Sequence, residues 1–497
     1  MPNVLKYFLL FILISVNCFS QSHFTKVDTT FLAEIRNHIE QPVPDIEDLV
    51  SDAHLFKKSL NKDLRDSLNP KSSILIPIAE VIGLNFGVGA NNAYITGEHF
   101  AKISWETIKH NFDTGFVWDD DAFITNQFAH PYHGNLYFNT ARSNGYNFWE
   151  SIPFAFGGSL MWELFMENEP PAINDWISTS IGGTMLGEMT YRISSLIIDE
   201  SLRGSKRVFS EILAALINPA RGFNRLIHGR SFRHTDKKTN DELYDREENV
   251  GVLAFGFNNV AEGTNLREGK KNLLIDLRYI YGRPFVVKKR KPFDFFTLNL
   301  GVNFGTDKPI GYLYAYGLLF GKNFVFREKQ EFLIGLFQHY DYMSNNVYEI
   351  GAQSIGGGII YKFPEIGDAE LVASMHLNAI VLGASNNNYI DTAAMGILRS
   401  YNFGTGLSGK FDGILNIGRA SLYIGYLLYW LHTLHGIEGD DYLGIIKPRL
   451  QVRIFDNFSI GLEYLLYHRT GKYKRYPHVD IQNNELRLFI SYIFGLK

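Results

Sequence analysis

Residues 293–305, which read FDFFTLNLGVNFG, decide the fold of the second half of the chain. From Phe296 to Phe304 every second residue is apolar, and the residues between them are Thr, Asn or Gly. The final stretch 485–494, ELRLFISYIF, alternates in the same way, with Glu, Arg and Ser on its polar face. A period of two is typical of a β-strand whose two faces meet different surroundings.

The same alternation recurs along the rest of the second half, about every 20 residues, as expected for a transmembrane barrel. A soluble β-sandwich also alternates, but aromatic residues near the ends of the apolar faces, opposite Gly, Asn and paired charges, favour a barrel with a polar lumen. Both termini of an even-stranded barrel lie on the periplasmic side, which places the long connections 384–399 and 470–483 outside the cell. The pattern predicts twelve strands, near 250–262, 271–282, 293–305, 309–326, 329–343, 347–362, 369–383, 400–417, 419–433, 440–455, 458–469 and 484–496.

Composition agrees with this prediction and excludes two other classes of protein. The 497 residues carry 48 Lys and Arg against 52 Asp and Glu, a net charge of −4, which argues against a dedicated nucleic-acid-binding protein. A single cysteine excludes a disulfide-rich scaffold. The 27 Tyr, 39 Phe and 45 Gly are typical of extensive β-structure.

The N-terminus predicts export. Residues 1–20 combine Lys6, an apolar run and small residues before Gln21, the pattern of a secretory signal peptide. Residues 21–70 are polar and are interpreted as a periplasmic lead-in.

Between the lead-in and the strands, residues 71–221 predict a helical domain, so the chain as a whole is predicted to be α+β. Residues 222–249 are predicted to be a charged linker, basic first and then acidic, and residues 250–497 form the barrel. The helical domain is expected to plug the barrel or to pack at its periplasmic mouth. Apolar residues at helical spacing predict helices at 73–93, 97–111, 147–167, 173–199 and 205–217.

The helical domain also contains the residues that could carry chemistry. Asp119, Asp121, His130 and His133 would supply mixed nitrogen and oxygen ligands for a divalent metal. The spacing is not that of a recognised zinc motif. The alternative is that the two histidines cap and hydrogen-bond a turn fixed by the neighbouring Pro and Gly.

Carboxylates on apolar helices form a second group of candidates. Glu163 and Glu167 share a helical face, Asp175 begins a helix, and Glu188 and Arg192 are spaced to form an ion pair. Carboxylates among apolar neighbours suit acid–base catalysis, although such groups also occur as structural networks. The catalytic hypothesis uses His130, His133, Glu163 and Glu188, and the binding hypothesis uses Asp175, Arg192 and Glu167.

Three separated motifs in this region resemble one known family. They are WDDDAFITNQFAHPYHGNLYFNTARSNGYNFWES (118–151), SLMWELFMENEPPAINDWISTSIGGTMLGEMTYR (159–192) and INPARGFNRLIHG (217–229). Together they resemble domain of unknown function 3943, found in exported proteins of Gram-negative bacteria. The resemblance implies an outer-membrane setting and no established reaction.

Three classes of function follow from these patterns. The first is an outer-membrane barrel that binds or passes a small or lipidic envelope molecule. The second is an envelope-lipid-modifying enzyme that uses the histidine and carboxylate cluster. The third is a structural protein that binds an envelope protein partner. Each class is expected to contact outer-membrane lipids.

Overall fold

The computed structural model describes residues 70–495, except 245, 264, 327–329, 346–347 and 391–398. The predicted signal peptide and nearly all of the lead-in lie outside the described residues.

The second half of the chain is a closed barrel of twelve antiparallel strands, in which each strand pairs with its neighbours in sequence and β1 pairs with β12. This confirms the predicted fold class and strand number. The strands are β1 (Asn249–Ala261), β2 (Lys270–Tyr281), β3 (Phe296–Phe304), β4 (Ile310–Phe326), β5 (Gln330–Ser344), β6 (Glu349–Lys362), β7 (Ala369–Asn386), β8 (Tyr401–Ile417), β9 (Ala420–His435), β10 (Gly439–Phe455), β11 (Phe458–Tyr473) and β12 (Val479–Phe494).

One predicted long connection is wrong. Residues 470–483 were expected to form a loop, yet β11 continues to Tyr473 and β12 begins at Val479. Gly471 pairs with Val479, so backbone hydrogen bonds to a neighbouring strand extend the ladder through residues whose composition favours a turn.

Alternation along the strands separates a lumen face from an outer face. Asp276 on β2 contacts Arg449 on β10 at 2.8 Å, and since four steps of the sheet separate these strands, the contact crosses the lumen. Asp341 on β5 reaches Lys410 on β8 at 2.6 Å in the same way. Residues adjacent to these in sequence, such as Tyr340, therefore point out of the barrel.

The first half of the described chain is helical. The α-helices are α1 (Leu75–Ala90), α2 (Trp105–Thr114), α3 (His130–Ser143), α4 (Phe148–Phe165), α5 (Ile173–Ile177), α6 (Gly183–Ile197), α7 (Gly204–Ile217), α8 (Pro219–Ile227) and α9 (Lys237–Leu243). Three π-helical turns, at Asn91–Thr96, Thr125–Ala129 and Ser178–Gly182, directly adjoin α1, α3 and α6.

Local chemistry explains where several helices begin. Ser104 and Thr107 form a reciprocal capping box before α2, and Asn147 and Glu150 do so before α4. The helix α3 differs from the turn expected around His130. Its proline lies in the first helical turn, where the missing backbone N–H costs nothing.

The segment 222–249 is folded against the helices rather than extended as a linker. Arg225, on α8, pairs with Glu200 at 3.0 Å and with Glu211 at 2.8 Å, and all three side chains are largely buried. The basic residues in this segment therefore balance acids elsewhere in the helical region.

The helical region packs on the outer wall of the barrel, which differs from both expected placements, a plug inside the barrel and packing at its periplasmic mouth. Tyr340, which points outward, donates a hydrogen bond to the Gln127 carbonyl. Gln353, its pairing partner on β6, donates to the Ser178 hydroxyl at 2.9 Å. Alternation predicts two faces for each strand, but it does not predict which of the two the helices cover.

This packing reaches from one rim of the barrel to the other. Arg192 of α6 donates to the Pro292 carbonyl at 2.6 Å, in the connection between β2 and β3. Asp120 pairs with Arg399 at 3.3 Å, in the connection between β7 and β8. Because connections of these two kinds lie at opposite ends of an antiparallel barrel, the helices flank the whole height of the wall.

Among the described residues, none of the helices combines the length and the hydrophobicity needed to cross a bilayer.

Candidate functional site

The interior of the helical region is unusually polar. Its helices approach closely through glycine: a Cβ on Gly134 would lie 1.8 Å from the Thr179 carbonyl oxygen, and one on Gly183 would lie 2.4 Å from Gly134 Cα. The buried side chains between the helices include Asn126, Asn135, Asn139, Glu163, Asn174, Asp175, Thr184 and Glu188. Such groups are stable inside a protein only when hydrogen bonds satisfy them.

Near the β7–β8 connection, the interior of the helical region contains a hydrogen-bonded network of carboxylates and side-chain amides. Asn126 donates to Asp119 at 2.9 Å and to the Tyr401 hydroxyl oxygen at 2.7 Å. Asn174 accepts from the Asp119 backbone N–H at 2.9 Å and donates to Asp175 at 2.7 Å. The network thus ties the loop before α3 to α5 and to the barrel wall.

The two predicted histidines extend this network. His130 lies 3.5 Å from Asp175, close enough for a charge-assisted contact when its ring is protonated. The ring of His133 packs 4.6 Å from Tyr137 and 5.1 Å from Trp162. Its Nε2 atom is buried and has no hydrogen-bond partner among the described residues.

The predicted carboxylates complete the cluster. Glu163 accepts the Ala172 backbone N–H at 2.9 Å, and Glu167 accepts the Trp162 indole N–H at 2.5 Å. Asp119, Asp121, Glu163 and Glu167 all lie within electrostatic range of Asp175. The structure therefore brings together His130, His133, Glu163, Glu167, Asp175, Asp119 and Asp121.

Burial changes the acidity of the carboxylates in the loops of this cluster. Burial, reinforced by the charge of Asp119, raises the pKa of Asp121 to about 6. Burial raises the pKa of Glu167 to about 8, although the hydrogen bond from Trp162 opposes the shift. Both groups therefore titrate nearer neutrality than ordinary carboxylates.

The donor atoms of the predicted metal ligands are not arranged around a common point. No group of three or more His, Cys, Asp or Glu side chains within the described residues is placed to hold a metal ion. Asp119 already accepts the Asp121 backbone N–H at 2.8 Å and the Asn126 amide at 2.9 Å. Both hydrogen bonds reach Oδ2 of Asp119. Within the described residues, the four predicted ligands are therefore not arranged as a metal site, because they form no group of three that could hold an ion.

Glu188 does not join the histidines. It accepts hydrogen bonds from Arg142 at 2.7 Å and from Arg192 at 2.8 Å, and Arg192 in turn contacts Pro292 at the β2–β3 end of the barrel. The i, i+4 spacing indicates the Arg192 contact, whereas Arg142 comes from another helix and carries no local sequence signal. Sequence reasoning also missed Asn126 and Asn174, because buried amides have no distinctive spacing.

The outer surface of the helical region has the opposite polarity. On α1, Ile82 and Phe86 are exposed, Phe86 by 56%. Further exposed large apolar side chains follow on the other helices and the segments beside them: Tyr94, Ile95, Trp105, Phe112, Phe116, Phe165, Val208, Phe209, Ile212, Leu216, Phe223, Leu226 and Ile227. A polar interior beneath an apolar surface inverts the usual arrangement of a soluble domain.

These features define a class of protein. It is a twelve-stranded β-barrel with a helical domain packed on the outer wall of the barrel, and this helical domain has a polar interior and an apolar surface. Residues 115–220 match the family model of DUF3943, a domain of unknown function, which confirms the resemblance. No curated protein matches the chain.

Three solved structures are similar to about half of the chain. The NanC porin is 10% identical with a TM-score of 0.28, over 48% of this chain and 98% of that one. OmpT, an outer membrane protein of Vibrio cholerae, is 9% identical with a TM-score of 0.24, over 50% and 96%. The outer membrane channel DcaP of Acinetobacter baumannii is 10% identical with a TM-score of 0.21, over 50% and 96%.

Proposed function

We propose that this protein is an outer-membrane protein whose barrel serves as an anchor and whose helical domain lies beside the barrel in the same bilayer, where it binds a lipidic envelope molecule. One observation carries the proposal: the helices cover the outer wall of the barrel from rim to rim and expose apolar side chains away from it. Lipid is the surrounding that makes such a surface favourable.

The barrel wall itself supports a membrane setting. Outward-facing Phe255 and Phe257 on β1 are 54% and 63% exposed, and Ile490 on β12 is 58% exposed. Tyr340, also outward-facing but covered by helices, is 1% exposed. The helical surface therefore continues an apolar belt of the kind found on transmembrane barrels.

The lumen gives less support to passage of a solute through the barrel. Glu463 pairs with Arg278 at 2.5 Å and with Arg487 at 3.1 Å, beside the Asp276–Arg449 contact. All five side chains are largely buried. Because these charged side chains pair with one another across the lumen, they fill its centre. Binding at the helical domain is therefore favoured over conduction.

One observation favours a second candidate, an enzyme that modifies envelope lipids. The buried Nε2 atom of His133 has no hydrogen-bond partner among the described residues, and His130, which contacts Asp175, lies within electrostatic range of the His133 ring. A ring nitrogen of this kind could accept a proton from a substrate hydroxyl. Mass-spectrometric lipid profiles of a deletion strain, complemented with wild type or with His133→Ala, test this candidate: an altered lipid restored only by wild type supports it, and unchanged profiles rule it out.

Spin-label accessibility tests the membrane position of the helical domain. The single cysteine, Cys18, lies in the predicted signal peptide, so a nitroxide is attached to the exported protein at Ile82→Cys or Phe86→Cys in reconstituted bilayers. We expect both labels to be relaxed more by oxygen than by a water-soluble nickel complex. The matched control is Lys238→Cys, an exposed polar position on α9 that should show the reverse. Water-like behaviour at both apolar positions would refute the proposed placement.

A further inference from the structure

A groove lies between the end of α6 and the start of α7. Its volume is about 550 Å³, within the range of small-molecule sites. Leu196 and Ile197 line it from α6, and Phe209 and Leu213 line it from α7. Ser205 and Lys206, in the first turn of α7, also line it, so the groove is apolar along most of its length and polar at one end.

The polar end carries unbalanced positive charge. No described residue forms an ion pair with Lys206, and the guanidinium of Arg203 contacts the ring of His234 at 3.1 Å rather than a carboxylate. Arg207, one residue after Lys206, is by contrast paired with Glu211 at 2.7 Å. Lys206 lines the groove, and Arg203 directly follows the lining residue Leu202 in the sequence, so both cations are available to an anion near the polar end.

The position of the groove fits the edge of a bilayer. Arg192 contacts the β2–β3 connection at the rim of the barrel, and the next turn of α6 supplies Leu196 and Ile197. On the same helix as Lys206, the neighbouring apolar residues Val208 and Ile212 are exposed by more than half. Apolar and basic residues combined on one helix are typical of helices that lie at the level of lipid headgroups.

We propose that this groove binds one acyl chain of an amphiphile with an anionic headgroup, with the chain against Leu196, Phe209 and Leu213 and the headgroup at Lys206 and Arg203. A phosphate and a carboxylate share the chemistry that these cations recognise. The inference rests on the proposed lipid-binding function and names the class of ligand and the place where it binds.

Binding is measured with the full-length protein in neutral nanodiscs, using a fluorescent fatty acid as the probe. Three unlabelled amphiphiles compete with the probe. Dodecanoate carries a carboxylate headgroup and lysophosphatidic acid carries a phosphate headgroup, so they show which anion the site prefers. Dodecanol has no charged headgroup and serves as the neutral comparison. We expect Leu213→Trp, which fills the groove, to weaken probe binding about tenfold or more. We expect Lys206→Glu to weaken competition by both anions while leaving that of dodecanol unchanged.

Matched controls separate these effects from general damage. Ile212→Trp adds the same ring one residue away, at an exposed position of α7, and Lys238→Glu reverses a charge on α9. Both should bind the probe like wild type. Unchanged affinity in Leu213→Trp, or equal losses in Ile212→Trp, would overturn the groove proposal. Water-like spin labels on α1 would instead overturn the membrane placement, so the two failures can be told apart.

Discussion

Arg449 on β10 and Asp276 on β2 meet at 2.8 Å across the lumen, and Arg449 is also 3.9 Å from Glu463. Both members of the closer pair are almost completely buried. Arg449 thus shares with Arg278 and Arg487 the balancing of two carboxylates from different strands, and its contact with Asp276 ties opposite walls of the barrel together.

Arg449→Ala should destabilise the barrel, because it leaves Asp276 and Glu463 with less compensation. Removing one partner of a buried pair costs about 3–5 kcal/mol. The free energy of unfolding is measured by urea titration in detergent, with loss of heat-modifiable mobility on gels as a second readout. Arg453→Ala, at an exposed position of the same strand, is the control and should stay within about 0.5 kcal/mol of wild type.

The ion pairs across the lumen predict that the barrel conducts ions poorly. Purified protein in planar bilayers should show no steady current of the size given by an open porin. Arg449→Ala should change this little unless the barrel loosens, because aromatic and aliphatic side chains also fill the lumen. A stable open channel in the wild-type protein would contradict the anchor role.

Gly134→Ala should destabilise the helical domain. The added Cβ would meet the Thr179 carbonyl, and overpacking of this kind costs roughly 1–3 kcal/mol. Gly157→Ala is the matched control, because a Cβ there meets nothing within 4 Å, and it should stabilise α4 by about 0.4–1 kcal/mol. Thermal loss of the helical circular-dichroism signal reports both; equal effects would argue against close helix packing at Gly134.

Glu188→Gln should cost about 3–5 kcal/mol, since Arg142 and Arg192 both lose their buried counter-charge. Glu150→Gln removes an exposed pair with Lys71 and should cost at most about 1 kcal/mol. Chemical denaturation followed through the helices measures the two. A small loss in Glu188→Gln would mean that the arginines find other partners.

Stability should fall as the pH rises through the range set by Glu167. The unfolded chain loses this proton near pH 4.5, and burial lets the folded protein hold it until about pH 8. The folded state therefore binds more protons between these values, and the free energy of unfolding decreases with pH across them. Glu167→Gln should match wild type at pH 4 and exceed its melting temperature at pH 9. Glu98→Gln, an exposed carboxylate of the same region, should show no such divergence.

The sequence predicts the strands well and their surroundings poorly. Phe296 and Phe255 both lie on the outward, apolar face of an alternating strand. Phe296 is nevertheless completely buried beneath the helical region, whereas Phe255 is exposed on the outside of the barrel. Period-two patterning shows that one face of a strand is apolar. It does not show whether lipid or a packed helix covers that face, because both are favourable surroundings for apolar side chains. The plug prediction failed for this reason.

The candidate site was predictable in part. The catalytic hypothesis placed Glu188 with the two histidines, whereas the structure pairs Glu188 with Arg142 and Arg192. His130 instead contacts Asp175, a residue of the separate binding hypothesis, at 3.5 Å. Local spacing revealed the Glu188–Arg192 pair because it lies within one helix. Arg142 and Asn174 act across helices, and contacts of that kind leave no periodic signal.

The helices on the outer wall also limit how copies of this protein can assemble. Strands from β2 to β8 carry residues already covered by the same chain, including Tyr281, Tyr340 and Phe403. Strands β1 and β10–β12 keep their outward apolar side chains exposed. Outward-facing Met375 and Leu377 on β7 are exposed as well, so the helices cover only part of the wall. In the proposed membrane setting, side-by-side pairing of barrels must avoid that part, which disfavours the closed trimeric ring in which every barrel needs two free flanks.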